Sequence, residues 1–379
     1  MTSPAAIEPD TKDWTWVLDR PCPACGYVAG AVTADRLAPT IRDNATAWAG
    51  FLAAPMVRDR PAPTTWSILE YACHVRDVHR RFAERVRLML TEDGPVFANW
   101  DQDATAVEDR YGEQDPATVT EELLDAADAA AARYESVPPD AWARPGLRDN
   151  GSAFTIESLG RYHLHDVVHH LHDVRSAAKD ATIAAYEASA GVYGRDEIDE
   201  SLRSVLDRFL AMLQPAAHVL EIGSGHGRDA RALEAGGARV RRTDVTPGFV
   251  ERLRQDGYAA VVLDPLGDDL RDPAAPDMPY DAVWASACLV HVARADLPVV
   301  LRRLAAVTRT GGALHVSLKE GDDEEWSVHG TVAAPRLFVY WREGPLRAAL
   351  ADAGWDVVEI GHSDGLRGDV WLDVLARRR

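Results

Sequence analysis

The sequence is poor in lysine, in cysteine and in net positive charge. Of its 41 basic residues only three are lysines (Lys12, Lys179 and Lys319), and 60 acidic residues leave a formal net charge of -19. A surface with that balance repels a polyanion, so gripping nucleic acid by bulk charge is excluded as the default activity. The four cysteines, Cys22, Cys25, Cys73 and Cys288, are too few for a disulfide framework in 379 residues, which fits a reduced, cytoplasmic setting. No uninterrupted apolar run reaches the roughly 18 residues of a membrane span, and the first residues lack the apolar stretch of a signal peptide.

What is present divides into two regimes. At roughly 150 residues per domain the length allows two to three domains. Up to about residue 180 the apolar spacing is helical, with Leu37, Ile41, Ala45, Trp48 and Leu52 marking a helix over 35–54. Ser67 followed three residues later by Glu70 reads as a capping box opening a helix that runs to about Leu90. Further helices are expected from about Val119 to Tyr134 and from about Thr155 to Ala178, giving a four-helix bundle with a loop over 92–116. After about residue 200, seven short apolar runs alternate with helical stretches, from His218–Ile222 to Val370–Leu375. That alternation predicts a Rossmann-like α/β half with a seven-stranded, mostly parallel sheet. The expected domains are 1–178 and 181–379, with 179–200 as a helical lead-in to the second.

The most informative segment is Val219-Leu-Glu221-Ile-Gly223-Ser224-Gly225-His-Gly227-Arg228. It reads as a buried strand, a glycine turn that lets backbone amides approach a ligand, and an open helix start. A dinucleotide fingerprint wants glycine or alanine where Arg228 stands, and the acidic Glu221 suits a ligand with a cationic end. The segment resembles the first motif of class I S-adenosylmethionine-dependent methyltransferases, and the likeness extends over about residues 181–379. The resemblance implies a cofactor held by Glu221, Gly223, Ser224, Gly225 and Gly227. It also implies Asp244 on the ribose, Asp264 on the adenine and the Tyr193 ring near the cofactor. His291 is the candidate general base, competing with a plain packing role, and Tyr340 and Trp341 are equally acceptor-pocket or core residues. Methyl transfer is an in-line displacement served mainly by positioning, so the lack of an obvious catalytic dyad is no objection.

The second concentration of chemistry is imidazole. Five of the 13 histidines fall between His163 and His172. His165 and His169 share a helix face at i, i+4, and His74 is the natural third ligand from another helix. Asp166 and Asp173 are read as supporting acceptors, and His172 as a substitute ligand. These residues resemble the DinB-like bundle family, which includes YfiT-type and mycothiol-dependent maleylpyruvate isomerase-type members, over about residues 30–176. Trp66, Ser67, Glu70 and His74 match its second-helix pattern, and His165 and His169 its last-helix pair. Some relatives carry glutamate where His165 stands. The resemblance implies a divalent metal (zinc, nickel or iron) on His74, His165 and His169, and thiol-transfer chemistry of the mycothiol type. Cys22-Pro-Ala-Cys25 is a single CxxC, without the second pair of a zinc ribbon, and reads as a structural or incidental pair.

The expectation is therefore a methyltransferase of a small-molecule acceptor fused to a metal-binding bundle, with a homodimer allowed and neither nucleic acid nor membrane as partner. Two competing readings stand beside it. In one, the second half binds S-adenosylmethionine only as a sensor for a thiol-dependent transferase or isomerase; in the other, the bundle is a non-catalytic substrate-binding or dimerising module.

Overall fold

The computed structural model describes residues 13–379 except 195, 366 and 367. The chain forms two compact units that divide between Ala177 and Ala178.

Four long helices frame the first unit: α1 (Ala34–Thr46), α2 (Ile68–Thr91), α3 (Pro116–Glu135) and α4 (Ile156–Glu187), the last running past the division. The capping box forms as expected. The Ser67 hydroxyl accepts from the Glu70 amide at 3.3 Å, and the Glu70 carboxylate accepts from the Ser67 amide at 2.8 Å. Arg60 also pairs with that carboxylate, which fixes the start of α2. The core is aliphatic and aromatic, with Leu37, Ile41, Leu69, Val78, Leu123 and Tyr134 each essentially inaccessible.

Several boundaries differ from the periodicity. The first helix breaks at Ala47 into α1 and a short helix Trp48–Leu52. The segment 92–116 contains the helix Gln102–Glu108 and a 3-10 turn rather than loop alone. A small sheet of Val96–Phe97, Pro145–Arg148 and Ala153–Thr155 also forms, from strands too short to leave a period. Helix α4 continues nine residues beyond Ala178 because no proline or glycine stops it before Gly191.

The second unit alternates as read. Its elements are α5 (Glu200–Ala211), β1 (His218–Ile222), α6 (Arg228–Ala235), β2 (Arg239–Asp244), α7 (Pro247–Gln255), β3 (Ala260–Val262), β4 (Tyr280–Ala285), α8 (Leu297–Ala306) and β5 (Thr308–Lys319). A hairpin of β6 (Glu324–His329) and β7 (Val332–Val339) follows, then α9 (Glu343–Asp352), β8 (Trp355–Asp364) and β9 (Val370–Arg378). The seven-stranded sheet has the order β8-β9-β5-β4-β1-β2-β3. From β5 through β3 every pairing is parallel, and β9 is antiparallel to both neighbours. Strand order reverses between β1 and β4, and in open α/β sheets ligands enter the crevice at that reversal, outside the carboxyl ends of the strands. The glycine turn leaves β1 at that end. The hairpin is an addition that seven apolar runs did not reveal, since Glu324, Glu325 and Arg336 interrupt its pattern.

Candidate functional site

The turn after β1 is built from backbone that only glycine adopts freely. Gly223, Gly225 and Gly227 have φ of 72°, 53° and 84°. A Cβ on Gly223 would fall 2.3 Å from the Cβ of Cys288, so the close approach of the next loop also requires hydrogen there. Ser224 ties the turn to the neighbouring strand: its amide donates to the Thr243 carbonyl at 2.9 Å, and its hydroxyl donates to the buried Glu221 carboxyl. Burial pushes that carboxyl up to about 8; Ser224 opposes the rise, Asp229 and Asp244 add to it, and Arg242 offsets them.

Asp244 ends β2 as a buried carboxylate aimed back at the turn. It accepts from the Gly225 amide at 2.8 Å and from the Thr246 amide at 2.8 Å. Burial raises its pKa, and those two amides hold the rise in check. Each oxygen keeps acceptor capacity for a ligand hydroxyl. Asp264, at the end of β3, is engaged differently. Its carboxylate accepts from Lys179 Nζ at 2.8 Å and from the Leu266 amide at 2.9 Å. A ligand amine there would share the carboxylate with one of the chain's three lysines.

Tyr193 lies over the turn, its ring 3.8 Å from where a Gly225 Cβ would stand. It packs on Phe249 and edge-on against Tyr186, at ring-centre distances of 5.1 and 5.4 Å. Tyr186 in turn meets His291. The His291 Nδ1 lies 2.6 Å from the Leu337 carbonyl, which can only accept, so Nδ1 carries the proton. Its Nε2 then accepts from the Tyr186 hydroxyl at 2.8 Å, and Arg336 donates to the same hydroxyl at 3.0 Å. Tyr186 was absent from the expected site because nothing but its place on α4, seven residues before Tyr193, marks it. Of the two acceptor-pocket candidates, Tyr340 bonds to Glu325 on the hairpin and Trp341 is buried, 4% exposed, under Arg294.

In the first unit the expected ligand set His74, His165 and His169 does not assemble. His74 gathers with Asp166 and His170, while His165 and His169 gather with Cys22 and Cys25; within each group the donor atoms lie within 4.8 Å of one another. The reason is helical: the pair one residue further along α4 is rotated by about 100° and faces α2 instead. Asp166, read as a supporting acceptor, thus stands among the potential donors itself, in place of His165. His172 belongs to neither group among the described residues, and Asp173 lies 3.4 Å from His170 Nδ1.

In the first group, Asp166 Oδ1 is 3.5 Å from Nε2 of both His74 and His170. His74 is fully buried, and neither of its ring nitrogens makes a well-formed hydrogen bond. An orphaned buried imidazole is costly unless something is meant to bind it. Burial lowers the pKa of His74, with Asp166 opposing. For Asp166, burial is outweighed by the nearby His74 and His170 imidazoles, and its carboxyl lies well below the usual range. Two imidazoles and a carboxylate are the donors a divalent transition metal takes, so the residues fit the group the resemblance implies. Trp66 and Trp100 pack on His74 at 5.1 and 5.2 Å and Tyr71 on His170 at 5.3 Å, making an aromatic wall.

Comparison with known proteins adds two families. The model of the DinB superfamily matches residues 40–174, and that of a methyltransferase domain matches residues 219–312. The chain is 36% identical to malonyl-[acyl-carrier protein] O-methyltransferase of Serratia marcescens over 114 residues, 30% of this chain and 43% of that protein. It is 33% identical to demethylmenaquinone methyltransferase of Parafrankia sp. (strain EAN1pec) over 137 residues, 31% of this chain and 52% of that one. The chain thus spans about half the length of these curated relatives. A solved structure, 1,6-didemethyltoxoflavin-N1-methyltransferase of Burkholderia thailandensis, is 21% identical and covers 55% of this chain and 89% of its own, with a TM-score of 0.44.

Proposed function

We propose that the chain, which is similar to the DinB superfamily over 40–174 and to a methyltransferase domain over 219–312, is an S-adenosylmethionine-dependent methyltransferase acting on a small-molecule acceptor. The observation that carries this reading is the glycine turn at the reversal of the sheet with the Asp244 carboxylate at its mouth. Bound there, the cofactor would supply an electrophilic methyl group. Asp244 accepts from the ribose hydroxyls, the amides of the turn and of α6 face the ligand's polar groups, and Glu221, buried beneath the turn, braces it through Ser224. Asp264 retains the adenine side through the oxygen it shares with Lys179.

Tyr186, Tyr193 and Phe249 wall the acceptor side and exclude water. His291 Nε2, already accepting from Tyr186, is placed to draw a proton through that hydroxyl as the acceptor atom attacks. A neutral imidazole with Nδ1–H fixed on the Leu337 carbonyl has the right tautomer for that task. The wall is aromatic and the chain strongly anionic, which favours a neutral or cationic small molecule over nucleic acid.

In the bundle, His74, Asp166 and His170 would hold a divalent metal. Such a metal lowers the pKa of a bound thiol or water. Three protein donors leave positions for a substrate, and the Trp66, Trp100 and Tyr71 rings shape the approach, which supports a thiol-transfer role alongside methylation.

Calorimetric titration of the full chain tests the first part: S-adenosylmethionine binds at a single site, and Asp244→Asn weakens it. No binding at millimolar ligand overturns the reading. A labelled methyl group from the same cofactor, followed in an extract, then identifies the acceptor.

A further inference from the structure

Cys22, Cys25, His165 and His169 make a cluster that neither the methyltransferase reading nor the His74 group uses. The loop carrying the cysteines is built rather than incidental. The Cys22 amide donates to the Tyr27 carbonyl at 2.9 Å and the Gly26 amide to the Cys22 carbonyl at 2.9 Å, with Gly26 left-handed at φ 73°. The Tyr27 hydroxyl donates to the Arg161 carbonyl of α4 at 2.8 Å, one turn before His165, and so pins the loop to the helix that carries the two histidines.

All four donor atoms lie within 4.8 Å of one another, and Cys22 Sγ is 3.6 Å from His169 Nδ1. Tetrahedral zinc, with bonds of about 2.3 Å to sulfur and about 2.0–2.1 Å to nitrogen, sets such donors about 3.6 Å apart. A thiol–imidazole hydrogen bond has a similar length, so the rest of the cluster decides. His165 is 3% exposed and its Nε2 has no hydrogen-bond partner. The cysteines are free thiols rather than a disulfide. Trp14 packs on His165 and His169 at 5.7 and 5.1 Å and Tyr27 on His165 at 5.5 Å, so that aromatic rings cover the two histidines. Two thiols and two neutral imidazoles with an orphaned nitrogen, the imidazoles packed against aromatic rings, make a donor set that an ion would satisfy.

We propose that Cys22, Cys25, His165 and His169 form a closed Cys2His2 zinc site that staples the N-terminal loop to α4. With every coordination position filled by protein, the site is structural and admits no substrate. Thiolate donors select zinc over magnesium, calcium or manganese. Binding releases the thiol protons, so the zinc content is acid-sensitive. The proposal stands independently of methyl transfer and of the His74 group.

Metal analysis of the full chain purified from zinc-supplemented cells provides the test. Cys22→Ser and Cys25→Ser should each hold one equivalent of zinc less than wild type, while His74→Ala keeps that equivalent. Cobalt substituted into the wild type should show thiolate-to-cobalt charge-transfer absorption, present in His74→Ala and absent in Cys22→Ser. Cys25→His, which retains four ligands, should keep the equivalent with a weaker thiolate band, so that loss of a ligand is separated from loss of fold. Equal zinc in wild type and Cys22→Ser overturns the proposal, as does cobalt bound without a thiolate band. A Cys22–Cys25 disulfide in the metal-free chain as purified also overturns it, and assigns the pair to redox chemistry.

Discussion

The two units bury their functional groups in opposite ways. Around the glycine turn the buried groups are carboxyls, and the protein itself satisfies them: Asp244 by the Gly225 and Thr246 amides, Glu221 by the Ser224 hydroxyl. In the bundle they are imidazoles, and nitrogens of His74 and His165 stay without good partners. A site of the first kind holds its shape before its ligand arrives. A site of the second kind draws part of its stability from what it binds. The difference is the one expected of the proposed cofactor that comes and goes in one half and of the proposed resident metals in the other.

The largest expected effect breaks the second unit alone. Gly223→Ala puts a methyl group 2.3 Å from the Cβ of Cys288 at a φ of 72°, and S-adenosylmethionine binding should fall below detection by calorimetry, with metal content unchanged. Loss of metal together with ligand binding would show that the halves do not act separately. Next in size is removal of metal. A site saturated at about a thousand times its dissociation constant contributes about 4 kcal/mol. Chelation should therefore lower the hydrogen-exchange protection of α2 and α4 by several orders of magnitude and leave β1 and β2 as they were. Asp244→Asn comes third: a charged hydrogen bond of about 1.5–3 kcal/mol corresponds to an affinity loss of about tenfold to a hundredfold, read by titration.

The smallest effect sharpens the contrast through pH. Glu221 is raised by burial from 4.5 to about 8, so the folded state holds a proton that the unfolded state has lost. Stability of the second unit from this group is present in full below about 4.5 and declines as pH rises through about 8. Glu221→Gln should flatten that slope in urea melts between pH 6.5 and 9. In the bundle burial lowers His79 from 6.5 to about 3, which works in the other sense: its contribution is present above about 6.5 and lost as pH falls toward 3. His79→Gln should reduce the acid sensitivity of α2, measured by exchange at pH 4 and 7.

The architecture was legible because both halves carry strong periods and the glycine turn carries residue types with few other uses. The bundle's donor sets were not. An i, i+4 histidine pair states that two rings share a face, but His165/His169 and Asp166/His170 offer two such faces one residue apart, and only the packing of α2 and of the Cys22 loop assigns them. The Cys22–Cys25 pair lies about 140 residues from its histidines, a separation that no local spacing connects. Tyr186 was hidden for a related reason: its proposed role comes from His291, 105 residues away, which only the folded second unit brings within 2.8 Å. Asp244, by contrast, sits at a strand end beside the turn, where local order in sequence and proximity in space coincide.

Residue-resolved hydrogen exchange on the full chain, measured metal-free, with zinc and with S-adenosylmethionine, tests the division of labour most directly. The account predicts that S-adenosylmethionine protects residues 223–228 and 244–246 and leaves 22–27 and 163–170 unchanged, while zinc does the reverse. S-adenosylmethionine that leaves the glycine turn unprotected, or zinc that protects it in place of the bundle, would contradict the account.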